Sequence, residues 1–132
     1  MSQFDSISEP AIAALVNRFY GKARLDPTIG PVFENAVEEW DEHLAKLCDF
    51  WSSVMLTTGR YKGNPMAAHV KQPIEPEFFD RWLGLWDETA GEVFAPEAAE
   101  QFRFKAARIA ESLKLAMFYR PEAIQIARRP LQ

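Results

Sequence analysis

Residues 59–76 read Gly59-Arg60-Tyr61-Lys62-Gly63-Asn64-Pro65-Met66-Ala67-Ala68-His69-Val70-Lys71-Gln72-Pro73-Ile74-Glu75-Pro76. Gly59 to Gly63 is a loop. Asn64 is a helix cap, Pro65 suits the first helical position, and Met66 to Val70 form the body of a very short helix. Pro73 and Pro76 close it. Eighteen residues thus present one turn of helix bearing one histidine, and the small Ala67 and Ala68 leave room beside it for a bulky planar group. A plain four-helix bundle would use short loops between long helices; this stretch is not such a loop. Taken alone, His69 reads first as an exposed loop histidine with no partner.

Four long helices surround this turn, and no segment alternates with period two. The first runs from about Glu9 to Leu25, capped by Ser8, with Ile12, Leu15, Val16, Phe19, Tyr20 and Ala23 on its apolar face. Asp26-Pro27 and Gly30-Pro31 break it, leaving Pro31-Val32-Phe33 as a short irregular piece. The second runs from about Val37 to Thr57, with Trp40, His43, Leu44, Leu47, Phe50, Trp51, Val54 and Met55 at helical spacing. The third runs from about Pro76 to Val93 with Phe78, Phe79, Trp82, Leu85, Trp86 and Thr89 inward. The fourth runs from about Pro96 to Tyr119 with Phe102, Ala106, Ile109, Leu113 and Met117 inward.

Composition bounds the function. The 132 residues make one domain, 1–132, able to bury roughly two-thirds of its extended-chain surface. Ten Phe, four Trp and three Tyr can line a flat apolar ligand as well as fill a core. The net charge of −4, with no Lys/Arg stripe, argues against nucleic acid. No signal peptide or membrane-spanning run is read, and the single Cys48 makes no internal disulfide, so a reducing cytoplasm is the expected compartment. His43 and His69 are the two histidines. Neither HExxH, CxxC nor paired His-carboxylate spacing is present for zinc or di-iron, and GxSxG, Walker A and GxGxxG motifs are absent as well. One neutral imidazole does suffice as an axial ligand for haem iron.

Four stretches resemble the truncated haemoglobins of the third group. Phe19-Tyr20 with Asp26-Pro27-x-Ile29-Gly30-Pro31-x-Phe33 is similar to that family's second helix and turn. Glu39-Trp40-x-x-His43-x-x-Lys46-x-x-x-Phe50-Trp51 is similar to its distal helix. Gly59-x-Tyr61-x-Gly63-x-Pro65-Met66-x-x-His69 resembles its loop and proximal helix, and Phe78-Phe79-x-x-Trp82 the helix after it. Together they cover nearly the whole chain in order.

The resemblance implies an all-α, two-over-two helical sandwich, a truncated globin enclosing haem b. It implies that His69 ligates the iron, that Tyr20, His43 and Trp82 surround the distal face, and that Phe33, Leu47, Met66 and Phe79 are apolar contacts. Tyr61 would lie at the haem rim, with Arg60, Lys62 or Lys71 serving the propionates. The expected ligands are O2, CO, NO or other small haem ligands, and oxygen binding or transport is the implied class. Tyr20 offers an O–H and Trp82 an N–H that can only donate, so both suit a ligand that gains negative charge on binding. The alternative is a haem enzyme performing nitric oxide dioxygenation or peroxide chemistry, with an external reductase because no flavin or nicotinamide motif is present. A cofactor-free helical interaction module is the third reading.

Overall fold

The computed structural model describes residues 3–65, 69 and 74–118. It contains five named helices: α1 (Glu9–Ala23), α2 (Gly30–Ala36), α3 (Trp40–Leu56), α4 (Pro76–Val93) and α5 (Pro96–Phe118). The main packings are α4 on α5, α1 on α4 and α1 on α3, which makes two layers of paired helices. Among the described residues there is no strand; Phe4 and Phe94 make one isolated parallel bridge, with the Phe4 amide donating to Val93 at 2.9 Å.

The helices begin and end where local chemistry dictates. The Ser8 side chain accepts from the Ala11 amide at 3.3 Å, with Pro10 in the first turn. All six residues expected on the α1 apolar face are buried. Three expectations are corrected. The first helix stops at Ala23, and Pro31-Val32-Phe33 lies inside α2 and is not irregular. Pro31 sits in the first turn of α2, where its missing N–H costs no hydrogen bond, so this proline begins a helix after the preceding one has ended. The second long helix begins at Trp40 and not at Val37; its cap, Glu39, is extended and gives no side-chain hydrogen bond.

The turn between α1 and α2 is tied by Asp26, which is buried. Its carboxylate accepts from the amides of Thr28 and Ile29 at 2.9 and 3.0 Å and from Arg81 of α4 at 2.7 Å. α2 starts so close to α1 that a Cβ on Gly30 would stand 2.7 Å from the Arg24 carbonyl oxygen. Three indoles join the layers: Trp86 stacks on Trp51 at 4.5 Å and on Trp82 at 5.6 Å. Trp86 is wholly buried, as expected of a core residue. On α3, by contrast, protein half-covers Leu44, Leu47, Phe50 and Val54, so this apolar stripe packs less tightly than those of α1 and α4.

Candidate functional site

The residues expected on the distal side converge. Tyr20, near the end of α1, is buried, with its ring edge-on to Phe33 of α2 at 5.2 Å and to His43 of α3 at 5.7 Å. Phe33 lies 6.5 Å from His43. Trp82, half-buried on α4, hydrogen-bonds to Tyr20. An indole N–H only donates, so the phenol oxygen accepts and keeps its own proton for another partner. Burial pushes the Tyr20 phenol well above the ordinary tyrosine range, and the Trp82 contact only partly opposes this. The phenol is therefore a proton-bearing donor at neutral pH.

His43 has a different environment. Its Nε2 is buried with no hydrogen-bond partner among the described residues. Burial lowers its pKa below the ordinary histidine range, and the Lys46 and His69 charges lower it further. His43 is thus neutral at pH 7, and the two imidazoles stand within electrostatic reach of each other.

His69 is set for a defined role by one contact. Its Nδ1 lies 2.6 Å from the Pro65 carbonyl oxygen, four residues earlier. A carbonyl only accepts, so Nδ1 carries a proton, and Nε2 is the ring nitrogen left for another partner. Histidines that ligate metals are oriented by this kind of second bond. The loop before the turn is anchored too: Tyr61 donates its amide to Ser53 Oγ at 2.9 Å, and Arg60 pairs with Glu9 at 3.2 Å.

Tyr61 and Phe79 stand outside the Tyr20 cluster of ring contacts. Tyr61 is half-buried against Phe50 at 5.2 Å, and Phe79 is buried between Phe78 and Phe118. Leu47 is half-buried on α3. Met66 and Lys71 lie outside the described residues. A cavity of about 530 Å3 flanks Pro65. Phe50 and Val54 of α3 and Ile109 and Leu113 of α5 are among its walls, and none of the eight expected site residues that are described lines it. Its volume is in the range of cofactor sites. Lys105, Arg108 and Ser112 also line it, whereas Tyr20, His43 and Trp82 lie outside it.

The sequence reading missed two neighbours of the cluster. Trp40 lies 6.0 Å from Tyr20 and 5.6 Å from His43, and Phe78 lies 5.7 Å from Phe33. The i, i+3 spacing of Trp40 and His43 was the available signal, since it places both on one helix face.

The donor set suits a haem: one oriented imidazole, an apolar helix stripe, and hydrogen-bond donors facing a second, neutral imidazole. Comparison with known proteins agrees. The chain matches no protein-family model. It is 36% identical over 121 residues to the group 3 truncated haemoglobin ctb of Campylobacter jejuni, covering 88% of this chain and 95% of that protein. The crystal structure of the group III truncated haemoglobin from Campylobacter jejuni superimposes with a TM-score of 0.85 at 35% identity, covering 89% of this chain and 96% of that one. The fold, the order of the helices and the extent of this identity lead to one conclusion: the chain belongs to the group III truncated haemoglobins.

Proposed function

We propose that residues 1–132 form one haem b domain that binds O2 and other diatomic ligands, with His69 as the protein's axial donor to the iron. The hydrogen bond from His69 Nδ1 to the Pro65 carbonyl carries this reading, because it leaves Nε2 as a free lone pair in a fixed direction. Haem, when bound, supplies an iron with a position open to a small ligand.

The chain's own residues then divide the work. Leu47 and Phe33 give apolar contact, with Met66 and Phe79 as further walls and Tyr61 at the rim. Tyr20 donates its phenol proton to a ligand that has gained negative charge. Trp82 fixes the phenol oxygen from the other side and so points that proton. His43, neutral and buried, bounds the same face and keeps water from it. The His69 Nδ1 partner is a neutral carbonyl and not a carboxylate. The imidazole therefore lacks the anionic support that aids peroxide cleavage, and ligand binding is favoured over peroxide chemistry. Nitric oxide dioxygenation at the same site would draw electrons from an external reductase.

The test is His69→Gly beside His43→Ala. His69→Gly should lose stable Soret absorption, regained on adding imidazole, while His43→Ala keeps its haem. The reverse pattern would exchange the two histidines' roles. Full haem retention by both variants would remove His69 as the donor.

A further inference from the structure

Trp40, the first residue of α3, has two differently occupied sides. Toward the interior it meets His43 edge-on at 5.6 Å and Tyr20 at 6.0 Å. Toward the surface, the Arg24 guanidinium lies 4.2 Å from the centre of its ring. Arg24 in turn pairs with Glu34 of α2 at 3.1 Å, and both side chains are about half exposed, at 44% and 52%. The C-cap of α1, the body of α2 and the start of α3 thus meet at one stacked indole.

We propose that Trp40 is the gate to the Tyr20–His43 face and that Arg24 and Glu34 form the latch holding it shut. The inference rests on the reading that a small ligand binds at that face. Tyr20 is 5% exposed, and Phe19 and Ile29 beside it are wholly buried. From the α2–α3 side, a ligand reaches the phenol by displacing the half-buried indole.

Two features make that displacement inexpensive. The first turn of α3 has no side-chain cap, so no Glu39 side-chain bond pins its start. His43 Nε2, one turn on, is buried without a partner in the closed arrangement, and opening brings it to water. What opposes opening is indole burial together with two weak exposed contacts, a cation–π stack and a surface ion pair. An exposed pair is screened by salt, so the gate opens more readily at high ionic strength.

The experiment uses CO association after flash photolysis of the haem-loaded protein, with Glu34→Gln, Arg24→Met and Trp40→Phe. Loss of a surface pair should raise the association rate of Glu34→Gln about two- to five-fold at low salt. Arg24→Met, losing both contacts, should rise further. Wild type should approach the Glu34→Gln rate as NaCl goes from roughly 20 mM to about 500 mM, while Glu34→Gln no longer responds. CO dissociation should be unchanged in Glu34→Gln. Hydrogen–deuterium exchange of the His43 amide, which donates to the Glu39 carbonyl at 3.0 Å, should quicken by the same factor in Glu34→Gln and with salt, on protein as purified. Association rates and exchange indifferent to both variants and to salt overturn the latch. Absence of any Soret band would instead overturn the haem reading, and the exchange measurement would still decide the latch.

Discussion

Tyr20 and Trp82 were legible in sequence as two hydrogen-bond donors. Their relation to each other was not. The indole hydrogen-bonds to the phenol, so in the proposed function Trp82 would act on a ligand chiefly by orienting Tyr20. Tyr20→Phe should therefore speed O2 dissociation by about two- to tenfold, the range of one net hydrogen bond. Trp82→Phe should give a smaller acceleration, and the double variant should resemble Tyr20→Phe, because the indole has nothing left to orient. Stopped-flow O2 dissociation on the three proteins checks this, and equal, additive effects would mean two independent donors. Trp40 shows where sequence reading stops at this scale. A tryptophan at helical spacing reads as one more core residue, and nothing local announces that a guanidinium from the end of the previous long helix will lie over it.

Helix boundaries followed from caps and prolines wherever the partner was local. Ser8 with Pro10, and Pro76 at the start of α4, are such cases. Asp26 is the opposite case. Asp-Pro announced a break, but the residue ties three elements, and Arg81 is 55 positions away. Burial alone would raise the pKa of the Asp26 carboxyl. Hydrogen bonds from Arg81, Ile29 and Thr28, with the Arg81 charge, outweigh that and hold it below the ordinary aspartate range. A carboxyl depressed in the folded state adds stability above its unfolded pKa, near 4, and loses it as pH falls through the folded value. Asp26→Asn should cost about 1–2 kcal/mol near neutral pH, the scale of charge-assisted hydrogen bonds partly open to water. It should also flatten the fall in stability below about pH 4. Urea unfolding from pH 7 to pH 3 measures both; a wild-type acid slope retained in the variant would assign that slope to other carboxylates.

For the whole molecule, periodicity marked four long helices around one core, and the two-layer arrangement came only from the resemblance to the truncated haemoglobins of the third group; the described helices do pack in two layers. Base stacking of three tryptophans across those layers did not follow from the pattern, because Trp51 and Trp86 come from different helices and periodicity gives a face, not a partner. Trp86 is at the centre of that stack. Trp86→Ala should cost about 3–5 kcal/mol, the usual range for emptying a large aromatic site, while Trp86→Phe should cost less. Equilibrium unfolding under one fixed condition of haem loading gives the comparison, since bound haem adds its own stabilisation by mass action. A loss below 1 kcal/mol in Trp86→Ala would show that the neighbouring rings close the gap. The bridge between Phe4 and Phe94 was also hidden, since a single residue pair carries no periodic signal.

The close approach of Gly30 to the end of α1 bears on how freely this sequence can drift. The atoms a Cβ would meet are backbone carbonyls, at 2.7 and 3.1 Å, and no rotamer change can move them aside. Gly21 and Gly84 lie within α1 and α4 and have nothing within 4 Å of the same position. Alanine there would raise helix propensity by about 1 kcal/mol each. Across a population of variants, positions 21 and 84 are open to change and position 30 is closed, although all three are the same amino acid on a helix. The tolerance of each site is set by the neighbouring chain and not by the residue itself.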